Sequence, residues 1–328
     1  MNHVIFRACR RAWMACVVMS CLIGIGAAQA QDSYPTKPIT IVVPYPPGGS
    51  NDVFARSIAK EMADVLKQPV IIDNKPGAGG IIGSAEVARA TADGYTLLAT
   101  SNAHVANQFL IRNVPYDAQK DFTPITPTLK VPLVLVVHPG LGVRSVNDLS
   151  QLAKRQPGKL SFAAGSSGAL VGMELYKQLA GLDIVHVPYK SNTQAIADVM
   201  SGQVPMMISD VGLAHPQIRA GKVIGLAVTS PERAPSLPEL PTMIEAGVAG
   251  YELTGWGGIW APAGTPAPVV SRLNALLGEA LNNERVREYA AKASGTLFKL
   301  SPQEFDRFQR ADTERWRRVT TAARIQPE

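Results

Sequence analysis

Short apolar segments alternate with helical patterns along most of the chain, and the alternation comes in two successive series. The first series opens with a predicted strand over 39–43 and a helix over 52–66, whose apolar residues recur on one face. The second series opens with a predicted strand over 133–137. Alternation of this kind is typical of α/β folds. The sequence therefore predicts two α/β lobes.

Two stretches of chain connect the predicted lobes. The extended, proline-punctuated stretch 121–137 leads from the first series into the second, and the proline-rich stretch 231–242 leads back. We therefore assign 31–128 and 229–328 to a discontinuous lobe 1, and 129–228 to lobe 2. A cleft between two lobes joined in this way is the default place for a ligand.

The first thirty residues have the pattern of a secretory signal peptide. Three arginines precede a mostly apolar run over 12–28, and Ala28-Gln29-Ala30 then supplies a small-x-small cleavage site. We expect Sec-type export, cleavage after Ala30 and a periplasmic mature protein. All three cysteines fall in this segment, so the rest of the chain has no thiol for a disulfide or a thiolate metal site.

The charge of the remaining residues is mild. The formal net charge of +6 falls to +3 once the three leader arginines are removed. Nucleic-acid-binding domains carry a stronger and more clustered positive charge. The arginines within 307–318 are interleaved with acidic residues, a pattern that predicts a solvated helix face. We therefore expect no nucleic-acid partner.

The stretch VVPYPPGGSNDVFAR, residues 42–56, predicts an anion site where a strand passes into a helix. Pro46 and Pro47 have no N–H and make the turn rigid, and the two glycines after them let a ligand approach the backbone. The amides of 48–51 are donors at the positive end of the helix dipole. A triphosphate loop would carry a lysine after the glycines, so its absence favours a small carboxylate. Asp52 would cap the helix or orient the loop. The alternative is that the glycines only form a tight turn.

Similar loops follow other predicted strands, which favours the anion site over the bare turn. GAGG (77–80) and TSNAH (100–104) follow strands of lobe 1, and GSSG (165–168) and PYKSN (188–192) follow strands of lobe 2. Loops at strand ends of both lobes would converge on one crevice. The predicted ligand-binding residues are Tyr45, Pro46, Pro47, Gly48, Gly49, Asp52, Gly77, Ala78, Gly79, Thr100, Ser101, Ser166, Ser167, Gly168, Tyr189 and Asp210.

At these motifs the chain resembles the periplasmic solute-binding proteins of the tripartite tricarboxylate transporter family, of the Bug/TctC type. The resemblance covers 34–320 and depends on YPTKPITIVVPYPPGGSND, IIDNKPGAGGIIG, ADGYTLL, VPYKSNTQAIADVMSGQV, LAVTSPERAPSLPELPTMIEAG and WGGIWAPAGTP. It implies a two-lobed periplasmic-binding-protein type II fold, with lobe 1 amides and bridging waters holding one carboxylate. The implied ligand is a di- or tricarboxylate, an acidic amino acid or an aromatic acid. Membrane permease subunits are the implied partners, with a membrane sensor such as a sensor kinase as an alternative.

Lobe 2 departs from the family pattern. Family members often have Gly-x-Gly-Ser followed by His-Leu, whereas this chain has Ala164 and Ser166 at the glycines and Leu170 at the histidine. Ser191 replaces the usual glycine after PYK. These differences leave open which residues contact the far end of the ligand.

An enzyme is the rival interpretation, and the sequence gives it little support. GSSGA lacks the last glycine of the serine-hydrolase motif, because Ala169 stands there. The histidines are scattered, and only His104 follows a predicted cleft loop. Trp256 and Trp260 share a strand face, which favours core packing over ligand stacking. We therefore predict a monomer with no catalytic residue, no cofactor and no metal site.

Overall fold

The computed structural model describes residues 34–323 and 325–327. The predicted signal peptide lies outside the described residues. The strands are β1 (Ile39–Val43), β2 (Val70–Asn74), β3 (Thr96–Ser101), β4 (Phe122–Val131), β5 (Leu133–Val137), β6 (Ser161–Ala164), β7 (Val185–Pro188), β8 (Met206–Asp210), β9 (Ile224–Val228), β10 (Gly255–Pro262) and β11 (Thr296–Leu297). The helices are α1 (Ser50–Leu66), α2 (Ile81–Ala88), α3 (Ala103–Leu110), α4 (Val146–Arg155), α5 (Ser167–Ala180), α6 (Asn192–Ser201), α7 (Val211–Arg219), α8 (Ala267–Leu281), α9 (Glu284–Lys292) and α10 (Pro302–Ala322).

The strands form two mixed sheets. The first has the order β11-β4-β10-β3-β1-β2, in which β1 runs parallel to β2 and β3 while β10 is antiparallel to β3 and β4. The second has the order β7-β6-β8-β5-β9, in which β6 is parallel to β7 and β8 while β5 is antiparallel to β8 and β9. The two sheets confirm the predicted two-lobed α/β fold.

Most of the predicted elements are present, with shifted ends. The helix predicted over 52–66 begins two residues earlier, at Ser50, because Gly49 takes the N-cap position. Phe54, Ile58 and Met62 of its predicted apolar face are buried, whereas Val65, also assigned to that face, is 48 % exposed. The helix predicted over 84–90 instead spans 81–88, following a short 3-10 turn made by the glycine-rich loop.

The chain passes between the sheets at two places. Only Pro132 separates β4 of the first sheet from β5 of the second. The stretch 121–137 therefore crosses between the lobes, as predicted. The return covers 229–254, and its buried Tyr251 donates a hydrogen bond to the Gly172 carbonyl of α5 at 3.0 Å. This segment packs on the second sheet, which favours a return to the first sheet near Thr254. The assigned boundary after residue 228 stays a prediction.

The C-terminal helix is held by a cap at its start and by buried indoles along its length. The sequence Ser301-Pro302-Gln303-Glu304 predicts a capping box with proline at the first helical position, and the structure has both. Trp256 and Trp260 are buried and donate hydrogen bonds to α10, so their prediction as core residues is confirmed. In the described part of the chain, no helix is both long and apolar enough to cross a bilayer.

Candidate ligand-binding site

The loops predicted to form the site lie at the two sheet edges that meet where the lobes join. Strand β3 ends at Ser101, which pairs with Gly257 near the start of β10. Strand β8 ends at Asp210, which pairs with Leu133 at the start of β5. Both ends are therefore close to the crossing segments. We use the term cleft loops for 44–49, 77–80 and 100–103 in lobe 1, and for 164–168, 188–192 and Asp210 in lobe 2.

Tyr45 ties two cleft loops of lobe 1 together. Its hydroxyl lies 3.0 Å from the Thr100 hydroxyl oxygen and 2.8 Å from that of Ser101. Thr100 is buried, whereas Ser101 is partly exposed. The parallel pairing of β1 with β3 makes this contact possible, because their carboxyl ends meet at one sheet edge.

Asp52 holds the PYPPGG turn in place. Its carboxylate accepts hydrogen bonds from the Gly48 amide at 2.8 Å, from Arg56 Nε at 3.0 Å and from Asn74 Nδ2 at 2.8 Å. Burial by itself would raise the pKa of Asp52, but the bonds from Arg56, Gly48 and Asn74 outweigh it and lower the pKa to about 2. The carboxylate is therefore ionised and hydrogen-bonded to other residues of the protein. It orients the loop, one of the two roles that the sequence suggests.

The free donors of this turn differ from those predicted. The amide of Gly48 is occupied by Asp52, and the amide of Gly49 approaches the Pro46 carbonyl oxygen at 3.4 Å. The first main-chain bond into the helix runs from Val53 to the Gly49 carbonyl. The amides of 50–52 precede it and are the donors left at the helix start. The expectation of four free amides over 48–51 is therefore wrong for Gly48 and Gly49, and the predicted anion position moves into the first turn of α1.

The GAGG loop has an unusual backbone and packs against Pro44 and Tyr45, which precede α1. All four residues from 77 to 80 have positive φ, including Ala78 at 47°. Residues other than glycine seldom adopt this backbone region. A methyl group placed on Gly80 would lie 3.6 Å from Pro44 and from the Tyr45 ring. Asn107 of α3 donates to the Gly79 carbonyl at 3.0 Å. The loop 44–49 thus contacts both of the other cleft loops of lobe 1.

Asn192 organises the cleft loops of lobe 2. Its side-chain oxygen accepts from the Gly165 amide at 3.2 Å, and its NH2 group donates to Ser166 Oγ at 3.1 Å and to Asp210 Oδ2 at 3.0 Å. Loops after β6, β7 and β8 are therefore joined by one side chain. The prediction named the PYKSN loop but not Asn192 itself. The available signal was an amide side chain beside Ser191, the residue that caps α6.

The remaining lobe 2 candidates differ in how available they are. Ser166 caps α5 by accepting from the Ala169 amide at 3.2 Å, with Ser167 and Gly168 opening the helix. The Tyr189 hydroxyl donates to Asp198 Oδ2 at 2.7 Å, a bond that raises the pKa of the phenol to about 12. The Tyr189 hydroxyl therefore donates its proton to a partner within lobe 2 and not to a ligand. Leu170, at the place of the family histidine, packs against the main core.

His104 does not form a catalytic group with the cleft. It is 1 % exposed, stacked on Tyr116 with ring centres 5.1 Å apart, and bordered by Phe122 at 4.5 Å and Trp260 at 5.0 Å. Neither ring nitrogen has a well-formed hydrogen bond. Among the residues that the structure describes, no group of three or more His, Cys, Asp or Glu side chains could hold a metal ion.

Gly165 provides a stability test of the lobe 2 site. A methyl group added there would overlap the backbone of Ser191 and Asn192, which cannot move without displacing the start of α6. We expect Gly165→Ala to lower the free energy of unfolding by about 2 kcal/mol, measured by urea denaturation. Gly168→Ala is the matched control, because its methyl would lie 3.4 Å from Leu133, an ordinary contact. Equal effects of the two variants would contradict the close approach of the loops.

Together the two sheets and the loops at their joined edges define a two-lobed α/β protein of the periplasmic-binding-protein class. Residues 54–325 match the family model of TctC, the tripartite tricarboxylate transporter family receptors. The chain belongs to this family. The resemblance inferred from the motifs is confirmed.

Known relatives agree in length and in fold. Protein BugT of Bordetella pertussis is 35 % identical over 297 residues, which are 89 % of this chain and 91 % of BugT. Rpa4515 of R. palustris, solved with adipate, is 35 % identical with a TM-score of 0.79, covering 90 % of this chain and 100 % of its own. MatC of Rhodopseudomonas palustris, with bound malate, is 31 % identical with a TM-score of 0.74, covering 87 % and 99 %. The family and these neighbours are binding proteins.

Proposed function

We propose that this protein captures a small organic carboxylate between its lobes, without chemistry, for the permease subunits of a tripartite tricarboxylate-type transporter. The observation that carries the proposal is the start of α1, where no side chain caps the first amides and Asp52 fixes the preceding turn through the Gly48 amide. A helix start with unused amides attracts anions. Adipate and malate, held by two relatives, make dicarboxylates the first acids to test.

The site would hold its ligand through neutral donors. The amides of 50–52 and the hydroxyls of Ser101 and Ser166 can hydrogen-bond a carboxylate without the tight ion pair that a buried lysine would form. Such a site suits a protein that must release its cargo. The ligand would touch both lobes only when they are closed, so it would stabilise the closed state.

The cellular setting follows from the family. We propose export by the leader 1–30, a periplasmic mature chain, and two lobes assigned as above except that the chain returns to lobe 1 near Thr254. Docking on the outer domain of a membrane sensor is the second candidate role. It would coexist with ligand binding, because a sensor reads the same closed form.

A melting-temperature screen tests the proposal. The protein is unfolded and refolded to remove carried-over ligand, then heated with mono-, di- and tricarboxylates, acidic amino acids and aromatic acids. Ligand at about 100 times its dissociation constant adds about 2.7 kcal/mol, which should raise the midpoint by several degrees. Matched amides are the controls and should give no shift. A folded protein that no acid shifts would contradict the proposal and leave the protein-docking role as its function.

A further inference from the structure

A cavity of about 160 Å³ lies behind the segments that join the lobes. Its walls come from both sides of the junction. Lys130, Phe298 and Phe308 belong to elements packed on the first sheet, whereas Ser230 and Arg233 follow β9 of the second. Thr254, where the chain returns to the first sheet, completes the wall.

The cavity and the cleft lie on opposite sides of the crossing strands. In the first sheet the cleft loops follow β3, β1 and β2, whereas the cavity is lined from β10, β4 and β11. In the second sheet the cleft loops follow β6, β7 and β8, on one side of β5, and the cavity lies beyond β9 on the other. The cavity is therefore lined by none of the cleft loops, and it borders the loop 100–103 through Trp256, whose carbonyl accepts from the Asn102 amide at 2.8 Å.

One positively charged side chain in the cavity wall, Lys130, forms no ion pair with the described residues. Arg315 pairs with Glu252 at 3.2 Å and with Asp312 at 3.0 Å, and Arg233 pairs with Glu245 at 2.8 Å. Lys130 has no carboxylate within 4.0 Å among the residues that the structure describes. Of the two lining glutamates, Glu252 pairs with Arg315, which it shares with Asp312, and Glu232 is exposed to solvent.

The surroundings of Lys130 combine aromatic surface with a free hydroxyl. Its ammonium lies 4.6 Å from the centre of the Phe298 ring and 5.8 Å from that of Phe308. These contacts hold the cation at the cavity wall but do not neutralise it. The Thr254 hydroxyl, in the same wall, makes no hydrogen bond with the described residues. A partly buried cation, a free hydroxyl and two phenyl rings match an anion that has an apolar body.

We propose that this cavity is a second ligand site, which takes a small organic anion with an apolar body. The anionic group binds Lys130 and Thr254, and the apolar body packs on Phe298 and Phe308. Because the walls belong to both sides of the junction, the ligand bridges the lobes behind the crossing segments. The site is independent of the proposed transport cargo.

Calorimetric titration with benzoate tests the site, with benzamide as the neutral control. Wild-type protein is expected to bind benzoate and not benzamide. Lys130→Met keeps the side-chain length and removes the charge, so it should weaken benzoate binding at least tenfold, whereas Lys130→Arg should retain it. Thr254→Trp fills the cavity and should abolish binding. Circular dichroism and melting confirm that each variant is folded.

Asn192→Ala separates the two sites, because it disturbs only the lobe 2 cleft loops. Benzoate affinity should be unchanged in this variant. Loss of benzoate binding in Asn192→Ala with retention in Lys130→Met would place benzoate in the cleft, which overturns the second site and supports the proposed function. Failure of the wild-type protein and of every variant to bind benzoate, or equal binding of benzamide, would overturn the second site. The dicarboxylates of the melting-temperature screen would still test the proposed function.

Discussion

Replacing Asp312 with leucine is expected to lower the free energy of unfolding by about 3 kcal/mol or more. Asp312 is 3 % exposed, and its Oδ2 accepts hydrogen bonds from the indole N–H groups of Trp256 at 2.9 Å and Trp316 at 3.0 Å. Leucine has similar volume but no acceptor. Each indole would then be buried without a partner, at a cost of about 1–3 kcal/mol apiece. Urea denaturation at pH 7 measures the loss.

Asp312→Asn is the matched control for that prediction. Its side-chain oxygen can still accept from both indoles, whereas its NH2 group replaces the Oδ1 that accepts from Arg315 Nη1 at 3.0 Å. That ion pair is lost, and Arg315, which is partly exposed, can turn away and keep its pairing with Glu252. Burial raises the pKa of Asp312, which means that the native state carries a cost for the ionised carboxyl that asparagine avoids. We expect this variant to stay within about 1 kcal/mol of wild type. If the leucine and asparagine variants were equally unstable, charge and not the indole hydrogen bonds would hold α10 to β10.

The features predicted correctly from the sequence are those decided by neighbouring residues. A capping box needs only Ser301 and Glu304, and the alternation of Trp256 with Trp260 on one strand face follows from strand geometry alone. The apolar run 133–137 likewise predicts a strand, and the structure has β5 over the same residues. Each of these signals is complete within a few positions of the chain.

The site features that were missed depend on sheet order. Asn192 joins Ser166 and Asp210 because β6 lies between β7 and β8, an arrangement that no local pattern reveals. Tyr189 was predicted to bind the ligand because it lies in the PYKSN loop, but α6 places Asp198 where it accepts a hydrogen bond from the Tyr189 hydroxyl. Gly48 loses its free amide because the buried Asp52 turns back onto the loop. Sequence reasoning therefore identified the loops but not how their donors are divided between protein and ligand.

Acid is expected to destabilise the protein through His104, beginning near pH 6.5. Burial lowers the pKa of His104 to about 3, from 6.5 for an exposed imidazole, and a weak contribution from the Ala118 backbone offsets only part of the shift. The unfolded chain takes up a proton on this ring below pH 6.5, while the folded protein does not. The free energy of unfolding should therefore fall by about 1.4 kcal/mol for each pH unit below about 6.

Replacing His104 with phenylalanine removes the part of the pH dependence that comes from His104, because phenylalanine cannot take up a proton. Phenylalanine also fits a site walled by Tyr116, Phe122 and Trp260. Between pH 6 and pH 4 the variant should lose about 2.7 kcal/mol less stability than wild type in urea unfolding. Asp52 does not confuse the result, because the lowered pKa of this carboxyl makes its contribution fall only below about pH 4. Parallel pH profiles of the two proteins would mean that the folded protein protonates His104 at little cost, so that the aromatic surroundings of the ring must open to water in acid.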